Sequence, residues 1–174
     1  LAQKKLNCII NIGFAASTTK NIKTGDICLP KKIIWSDGNS VLISKVFRLK
    51  LIKKLKNNIV EDSLFCSNNI IYKESEKKDI YKKYQAGLID MESEGVQKVC
   101  IKYKIPFVAL KIILDDSETS LPEDLVNFYF KDEKLKYLYK FPLYLFAIIE
   151  LGLSFLKARG VMKKVCRKLF ENKR

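Results

Sequence analysis

The sequence predicts an α/β fold of three layers, in which a mixed, mostly parallel sheet is flanked by helices. Short apolar runs with the composition of buried strands alternate with amphipathic runs that have helical spacing. The strand candidate at residues 107–114 holds a single charged residue, which is typical of a central parallel strand. With 174 residues, of which 48% are hydrophobic, the chain can bury a core as a single domain.

The first third of the chain is predicted to contain two strands and one helix. Residues 6–14 form a continuous apolar run that leads into small residues, where a ligand or another backbone can approach closely. A turn at 24–26 precedes a short strand at 27–29, which Pro30 ends. Apolar residues recur at helical spacing over 41–55, with lysines on the opposite face, and predict the first helix.

The middle of the chain is predicted to alternate short strands with helices. The charged segment 74–84 has helical composition, and the apolar residues after Met91 keep helical spacing until Pro106 ends the pattern. Ser120-Leu-Pro-Glu123 has the form of a capping box, so a further helix is expected to begin there. The strand candidates are residues 64–66, 70–72, 86–89 and 107–114.

The C-terminal segment joins the most apolar window of the chain to a basic tail. Residues 141–156 are interrupted by a proline and a glutamate and are shorter than the about 20 apolar residues that span a membrane. We therefore expect a helix that packs against the core, followed by a basic helix over about 157–174. Peripheral contact with an anionic membrane through 141–174 is the alternative, because residues 156–174 carry a net charge of +7.

The composition excludes several kinds of chemistry. The chain contains no histidine, so it cannot form a Ser-His-Asp or Cys-His nucleophile pair, and neither a metal nor a cofactor is expected. Its five cysteines are widely spaced and form no CxxC pair, which predicts reduced thiols and a cytoplasmic protein. Half of the net charge of +14 lies in residues 156–174, and the rest comes mostly from scattered lysines. No aromatic platform accompanies these charges, so nucleic acid is not an expected partner.

Carboxylates cluster where two predicted strands end. If these strands are parallel, both clusters lie at the edge of the sheet where α/β folds bind ligands. The alternative is structural, with charges at the start of a helix in one cluster and an Asx turn in the other. The clusters are Asp90, Glu92 and Glu94 after residues 86–89, and Asp115 and Asp116 after residues 107–114.

Two motifs occur in a fixed order over residues 6–116. The first is Asn11-Ile-Gly-Phe-Ala-Ala16 followed by Thr24-Gly-Asp-Ile27, and the second is Asp90-Met-Glu-Ser93 followed by Ile105-Pro-Phe-Val108 and the strand that ends at Asp115. Together they resemble the purine nucleoside phosphorylase and methylthioadenosine/adenosylhomocysteine nucleosidase superfamily. With Ser120-Leu-Pro122, the second motif is similar to the hopanoid-associated phosphorylase branch, for which an adenosyl-hopane intermediate is the expected substrate.

The resemblance implies an enzyme that cleaves the N-glycosidic bond of a purine nucleoside or an adenosylated lipid. Cleavage builds positive charge on the ribose and negative charge on the purine. By its match to the family motif, Glu92 would accept hydrogen bonds from the ribose hydroxyls and Met91 would contact the sugar. Asp115, the catalytic candidate, would protonate or hydrogen-bond the purine N7, for which it needs a raised pKa. The residues implied for the base pocket are Ala15, Ala16 and Ile71.

The sequence also departs from the family pattern. The amino-terminal part of the family, with its phosphate-binding loop or its water-activating acid, has no counterpart before Leu1. The substituted positions are Phe14, Ala16, Lys111 and Leu114, where the family often has serine, glycine, arginine and serine. We therefore expect a fragment or a degenerate copy that is inactive alone, and release of purine from methylthioadenosine or inosine by this chain would contradict that expectation.

Three functions remain open at this point. Phosphorolysis, with phosphate as co-substrate, and hydrolysis are both compatible with the two carboxylates. The third is a non-catalytic basic protein that binds a membrane or nucleic acid through 141–174. A homo-oligomer is compatible with each of them. Asp90, Glu94 and Asp116 are given structural roles.

Overall fold

The computed structural model describes residues 6–120 and 145–171, which form an eight-stranded sheet with four helices. The strands are β1 (Ile9–Ser17), β2 (Ile27–Cys28), β3 (Lys32–Ile34), β4 (Ser40–Leu42), β5 (Ile59–Val60), β6 (Leu64–Cys66), β7 (Leu88–Asp90) and β8 (Phe107–Asp115). The helices are α1 (Lys45–Leu55), α2 (Glu74–Tyr84), α3 (Ser93–Lys102) and α4 (Leu145–Phe170). The strand order is β4-β3-β6-β7-β1-β8-β2-β5, and four of the seven pairings are parallel. The predicted mixed α/β fold is confirmed.

Strands β1 and β8 form the centre of the sheet. They pair in parallel from Ile9 opposite Phe107 to Ala15 opposite Ile113. Residues 107–113 are all buried, as their near-continuous apolar character predicts. The register then shifts, so that Asp115 rather than Leu114 lies opposite Ala16. This bulge adds one residue to β8 near the carboxyl end of the strand. Bulges are common next to functional sites.

Helix α4 differs from the prediction for the C-terminal segment. Instead of a core-packing helix followed by a separate basic one, a single helix runs from 145 to 170. Its buried residues, Ala158, Val165 and Leu169, all lie in the basic half, whereas much of the apolar half is exposed. The prediction failed because apolar residues surround the first half of the helix, and only one face of a helix can reach the sheet.

Other differences concern short elements. Strands β3, β4 and β5 contain two or three residues each, too few to show the alternation by which a strand is recognised. Because β4 includes Val41, helix α1 begins at Lys45 rather than at 41. Residues 70–72 do not form the predicted strand. Ile71 instead packs against the buried cluster that contains Phe65.

Gly87, which immediately precedes β7, is expected to be intolerant of a side chain. A Cβ at this position would overlap the carboxylate of Asp62 and lie 3.0 Å from Cδ1 of Ile22. The Gly87→Ala substitution should lower the free energy of unfolding by about 1–3 kcal/mol, as overpacking does. Gly95→Ala is the matched control, since nothing lies within 4 Å of a Cβ there and alanine favours helix α3. Equal urea midpoints for the two variants would contradict this account.

Candidate functional site

A cavity of about 240 Å³ opens at the edge of the sheet, between the ends of β1 and β8, the start of α3 and the chain after β6. The structure brings all six predicted site residues together in its lining: Ala15, Ala16, Ile71, Met91, Glu92 and Asp115. Their chemical roles remain predictions. The lining residues to which no site role was assigned are Phe14, Asn69, Ile70, Ile89, Asp90 and Leu114.

The two acidic clusters meet, but not for the predicted reason. Strand β7 is antiparallel to β1, and β1 is parallel to β8, so β7 and β8 run in opposite directions. The premise of parallel strands was therefore wrong. The clusters still converge because β7 is only three residues long and pairs with the last two residues of β1. The chain after Asp90 thus stays at the same edge of the sheet as Asp115.

Asp115 is held by a buried lysine from helix α2. The ammonium of Lys77, which is fully buried, lies 2.6 Å from Oδ2 of Asp115 and also donates to the carbonyl oxygens of Asp116, at 2.6 Å, and Thr119, at 2.9 Å. Burial raises the pKa of the Asp115 carboxyl, and the positive charge of Lys77 opposes this rise. Oδ1 of Asp115 is buried without a hydrogen-bond partner in the described parts of the chain. One carboxylate oxygen is therefore held by Lys77, and the other has no hydrogen-bond partner in the described residues.

Sequence reasoning missed Lys77. Helix α2 is rich in lysine and glutamate, and its mean composition predicts a solvated helix. Lys77 and Lys78 are adjacent and chemically identical, yet the first is fully buried and the second has a side chain 56% exposed. The acid at Asp115, which needs a partner once it is buried, was the signal that could have pointed to a nearby cation.

Asp90 is the acceptor of a second buried network, not a solvated charge. Lys111 lies 2.7 Å from it, and both side chains are 1% exposed. The hydroxyl of Ser93 donates to the same carboxylate, and the thiol of Cys66 donates to Oδ1 over 3.1 Å. Burial, and then the charge of Asp90, raise the pKa of Cys66. Gly13 leaves room for the Lys111 ammonium, which would lie only 3.1 Å from a Cβ at that position. The small residues of β1 thus admit a side chain from the neighbouring strand.

Glu92 and Met91 project from the turn that this network anchors. The side chain of Glu92 is 67% exposed, and its carboxylate is 3.9 Å from the Lys111 ammonium. Met91 is also exposed. Both side chains are therefore accessible to a ligand in the cavity, in contrast to Asp90, whose oxygen atoms already have donors within the protein.

The remaining acids have structural roles. Oδ1 of Asp116 accepts hydrogen bonds from the backbone N–H and the hydroxyl of Thr24, which ties the end of β8 to the turn before β2. Glu94 accepts from the backbone N–H of Ser36 and pairs with Lys98. The helix predicted to begin at Ser120 lies outside the described residues. The Ser120 hydroxyl oxygen accepts from the backbone N–H at the start of α2. Within residues 6–120 and 145–171, no three Cys, Asp or Glu side chains converge to bind a metal ion.

Comparison with known proteins identifies the family. The sequence profile of the Phosphorylase superfamily matches residues 4–134. The chain therefore belongs to the Phosphorylase superfamily, as the two motifs indicated. The finer resemblance to the hopanoid-associated branch stays a prediction.

Similar proteins include nucleosidases and a hydrolase. A 5′-methylthioadenosine/S-adenosylhomocysteine nucleosidase from Buchnera aphidicola (subsp. Baizongia pistaciae) is 30% identical, and the match covers 74% of this chain and 59% of that relative's length. A Helicobacter pylori enzyme of the same name shares the fold, with a TM-score of 0.62 and 15% identity over 93% of this chain and 69% of its own. Futalosine hydrolase from the same organism matches with a TM-score of 0.59 and 17% identity over 64% of this chain and 56% of its own.

Proposed function

We propose that this chain carries the nucleoside site of an enzyme that cleaves the N-glycosidic bond of a purine nucleoside. The observation that supports this most strongly is the presence of two carboxylates in one cavity: Glu92, which is exposed, and Asp115, whose buried Oδ1 has no partner in the described residues. Glu92 binds the ribose hydroxyls and favours the cationic sugar. Asp115 meets the purine, with its raised pKa suiting a proton donor. Ala15, Ala16 and Ile71 form the apolar wall for the base.

Water is the attacking group that we favour over phosphate. The relatives named above are nucleosidases and a hydrolase. The two buried lysines beside the cavity, Lys77 and Lys111, are each paired with a carboxylate, so their charges are already neutralised. Among the described residues, these two lysines therefore do not offer a phosphate dianion an unpaired cation. Adenosine derivatives such as 5′-methylthioadenosine, found in the active site of the Helicobacter pylori relative, are the first substrates to test, ahead of adenosylated lipids.

The experiment compares a base with its nucleoside. Calorimetric titration of the chain with adenine and with 5′-methylthioadenosine should show that Glu92→Gln weakens nucleoside binding about tenfold or more but leaves adenine binding unchanged. Asp115→Asn should weaken both ligands. Glu118→Gln, which changes an exposed acid paired with Lys20 outside the cavity, is the control. Absence of binding to the wild-type chain, or equal effects of all three variants, would overturn the proposal.

The mode of cleavage has its own test. Chromatography of 5′-methylthioadenosine incubated with the chain, with and without phosphate, would detect free adenine. Release that does not require phosphate assigns hydrolysis, and release that requires it assigns phosphorolysis. Binding without release would agree with the expectation that this chain is inactive alone.

A further inference from the structure

Helix α4 turns one apolar stripe away from the sheet. The buried residues Ala158, Val165 and Leu169 define its inner side. On the opposite side, side chains spaced by three, four and three residues are between 51% and 80% exposed: Phe146, Ile149, Leu153 and Leu156. At 1.5 Å per residue they cover about 15 Å of the helix. Contiguous exposed apolar side chains of this size mark an interaction surface.

The same stripe becomes basic in the second half of the helix. One and two helical turns beyond Gly160, the positions on this side of the helix are occupied by Lys163, Lys164 and Arg167, and all three side chains are exposed. Helix α4 as a whole holds six basic residues and one acidic residue, Glu150. The stripe is therefore divided along its length into an apolar half and a cationic half.

We propose that this stripe binds an anionic membrane surface, with the apolar half entering the boundary between headgroups and acyl chains and the basic half contacting lipid phosphates. A bilayer surface offers an apolar layer directly beside an anionic one, which matches both halves of the stripe. Because the two halves follow each other along the axis, the helix lies tilted, with its N-terminal end deeper. No described helix is long and apolar enough to cross a membrane.

A second copy of the chain fits the stripe less well. If two α4 helices paired in parallel along the stripe, the basic halves would face each other, and like charges repel. If they paired antiparallel over their full length, each apolar half would face a basic half and would stay unmatched. The membrane proposal does not depend on the proposed function. Membrane binding through α4 would also fix the position of the cavity relative to the membrane surface. Phe155 of α4 contacts Phe14, with ring centroids 5.9 Å apart, and Phe14 lines the cavity.

The test is sedimentation of the chain with vesicles of phosphatidylcholine, with and without phosphatidylglycerol. The wild-type chain should bind the anionic vesicles, and added salt should weaken binding. Ile149→Glu with Leu153→Glu, and separately Lys163→Glu with Arg167→Glu, should each reduce the affinity about tenfold or more. Leu42→Glu with Val46→Glu is the matched control, because these exposed apolar residues lie on β4 and α1.

Circular dichroism would verify that each variant is folded, which is expected because all the substituted side chains are exposed. Failure of the wild-type chain to bind anionic vesicles would overturn the proposal, as would an equal loss in the control variant. Size-exclusion chromatography provides the other decisive outcome. The stripe would be assigned to a second copy if the wild-type chain forms a dimer, does not bind vesicles, and becomes monomeric when Ile149→Glu and Leu153→Glu are combined.

Discussion

Replacing Lys77 with methionine is expected to lower the free energy of unfolding by about 3–5 kcal/mol at neutral pH. Methionine retains most of the volume of the buried side chain, so the loss comes from charge and hydrogen bonding rather than from a cavity. The substitution leaves the Asp115 carboxylate without its cation and removes the donor shared by the carbonyl groups of Asp116 and Thr119. Urea denaturation would measure the effect.

The loss should also depend on pH. Burial already raises the pKa of Asp115, and removal of the opposing Lys77 charge raises it further. A carboxyl whose pKa is higher in the folded state binds its proton more tightly when folded, so stability falls as pH rises from the unfolded pKa through the folded pKa. The Lys77→Met variant should therefore approach the wild-type stability as pH falls to about 4, the ordinary pKa of aspartate, and differ most from it above the folded pKa.

Lys78→Met is the control for this prediction. Lys78 is the next residue of α2, is exposed and pairs with Glu74 one turn away. Its replacement should change the free energy of unfolding by less than about 1 kcal/mol. If the two variants have the same urea midpoint, or if the loss in Lys77→Met is constant from pH 4 to pH 8, the proposed pairing with Asp115 is wrong.

Replacing Lys111 with methionine is the second substitution for which a loss of about 3–5 kcal/mol is expected, because Lys111 and Asp90 are both buried and the carboxylate would lose its cation. Ser93 and Cys66 would remain as donors, but neither carries a positive charge. Since this network anchors the turn that carries Glu92, binding of a nucleoside should weaken more than binding of free adenine.

A double-mutant cycle separates the ion pair from packing effects. Asp90→Asn removes the unpaired charge, so the double variant with Lys111→Met should be more stable than the sum of the single effects predicts. Lys98→Met, which breaks the surface pair with Glu94, is the matched control and should cost less than about 1 kcal/mol. Additive effects in the cycle would exclude a coupling between Asp90 and Lys111.

The sequence predicted the centre of the fold better than its edges. Strands β1 and β8 are long enough for continuous apolar composition to identify them. The second motif led to Glu92, which follows β7, and to Asp115 at the end of β8. The direction of β7 was not predictable, because a three-residue strand pairs equally well either way until its neighbours are known.

Residue type did not predict which of these side chains are buried. Lys77 and Lys111 are fully or almost fully buried because each neutralises an acid from a distant part of the chain. Composition counts both among the solvated lysines of a basic protein. Conversely, the apolar start of α4 was assigned to the core, yet its outward stripe is exposed. Contacts between distant parts of the chain therefore determine the burial of the two lysines and the exposure of the start of α4. Local sequence patterns do not contain this information.

The bulge in β8 has a consequence for how this protein can diversify. Because Asp115 takes the position opposite Ala16, Leu114 has no partner in the ladder with β1 but still lines the cavity. Leu114 also packs against the buried core, so its exchange for another apolar side chain would alter the cavity wall while the register of the central strands stays unchanged. Under the proposed function, an effort to change which ligand the cavity prefers should therefore begin with Leu114.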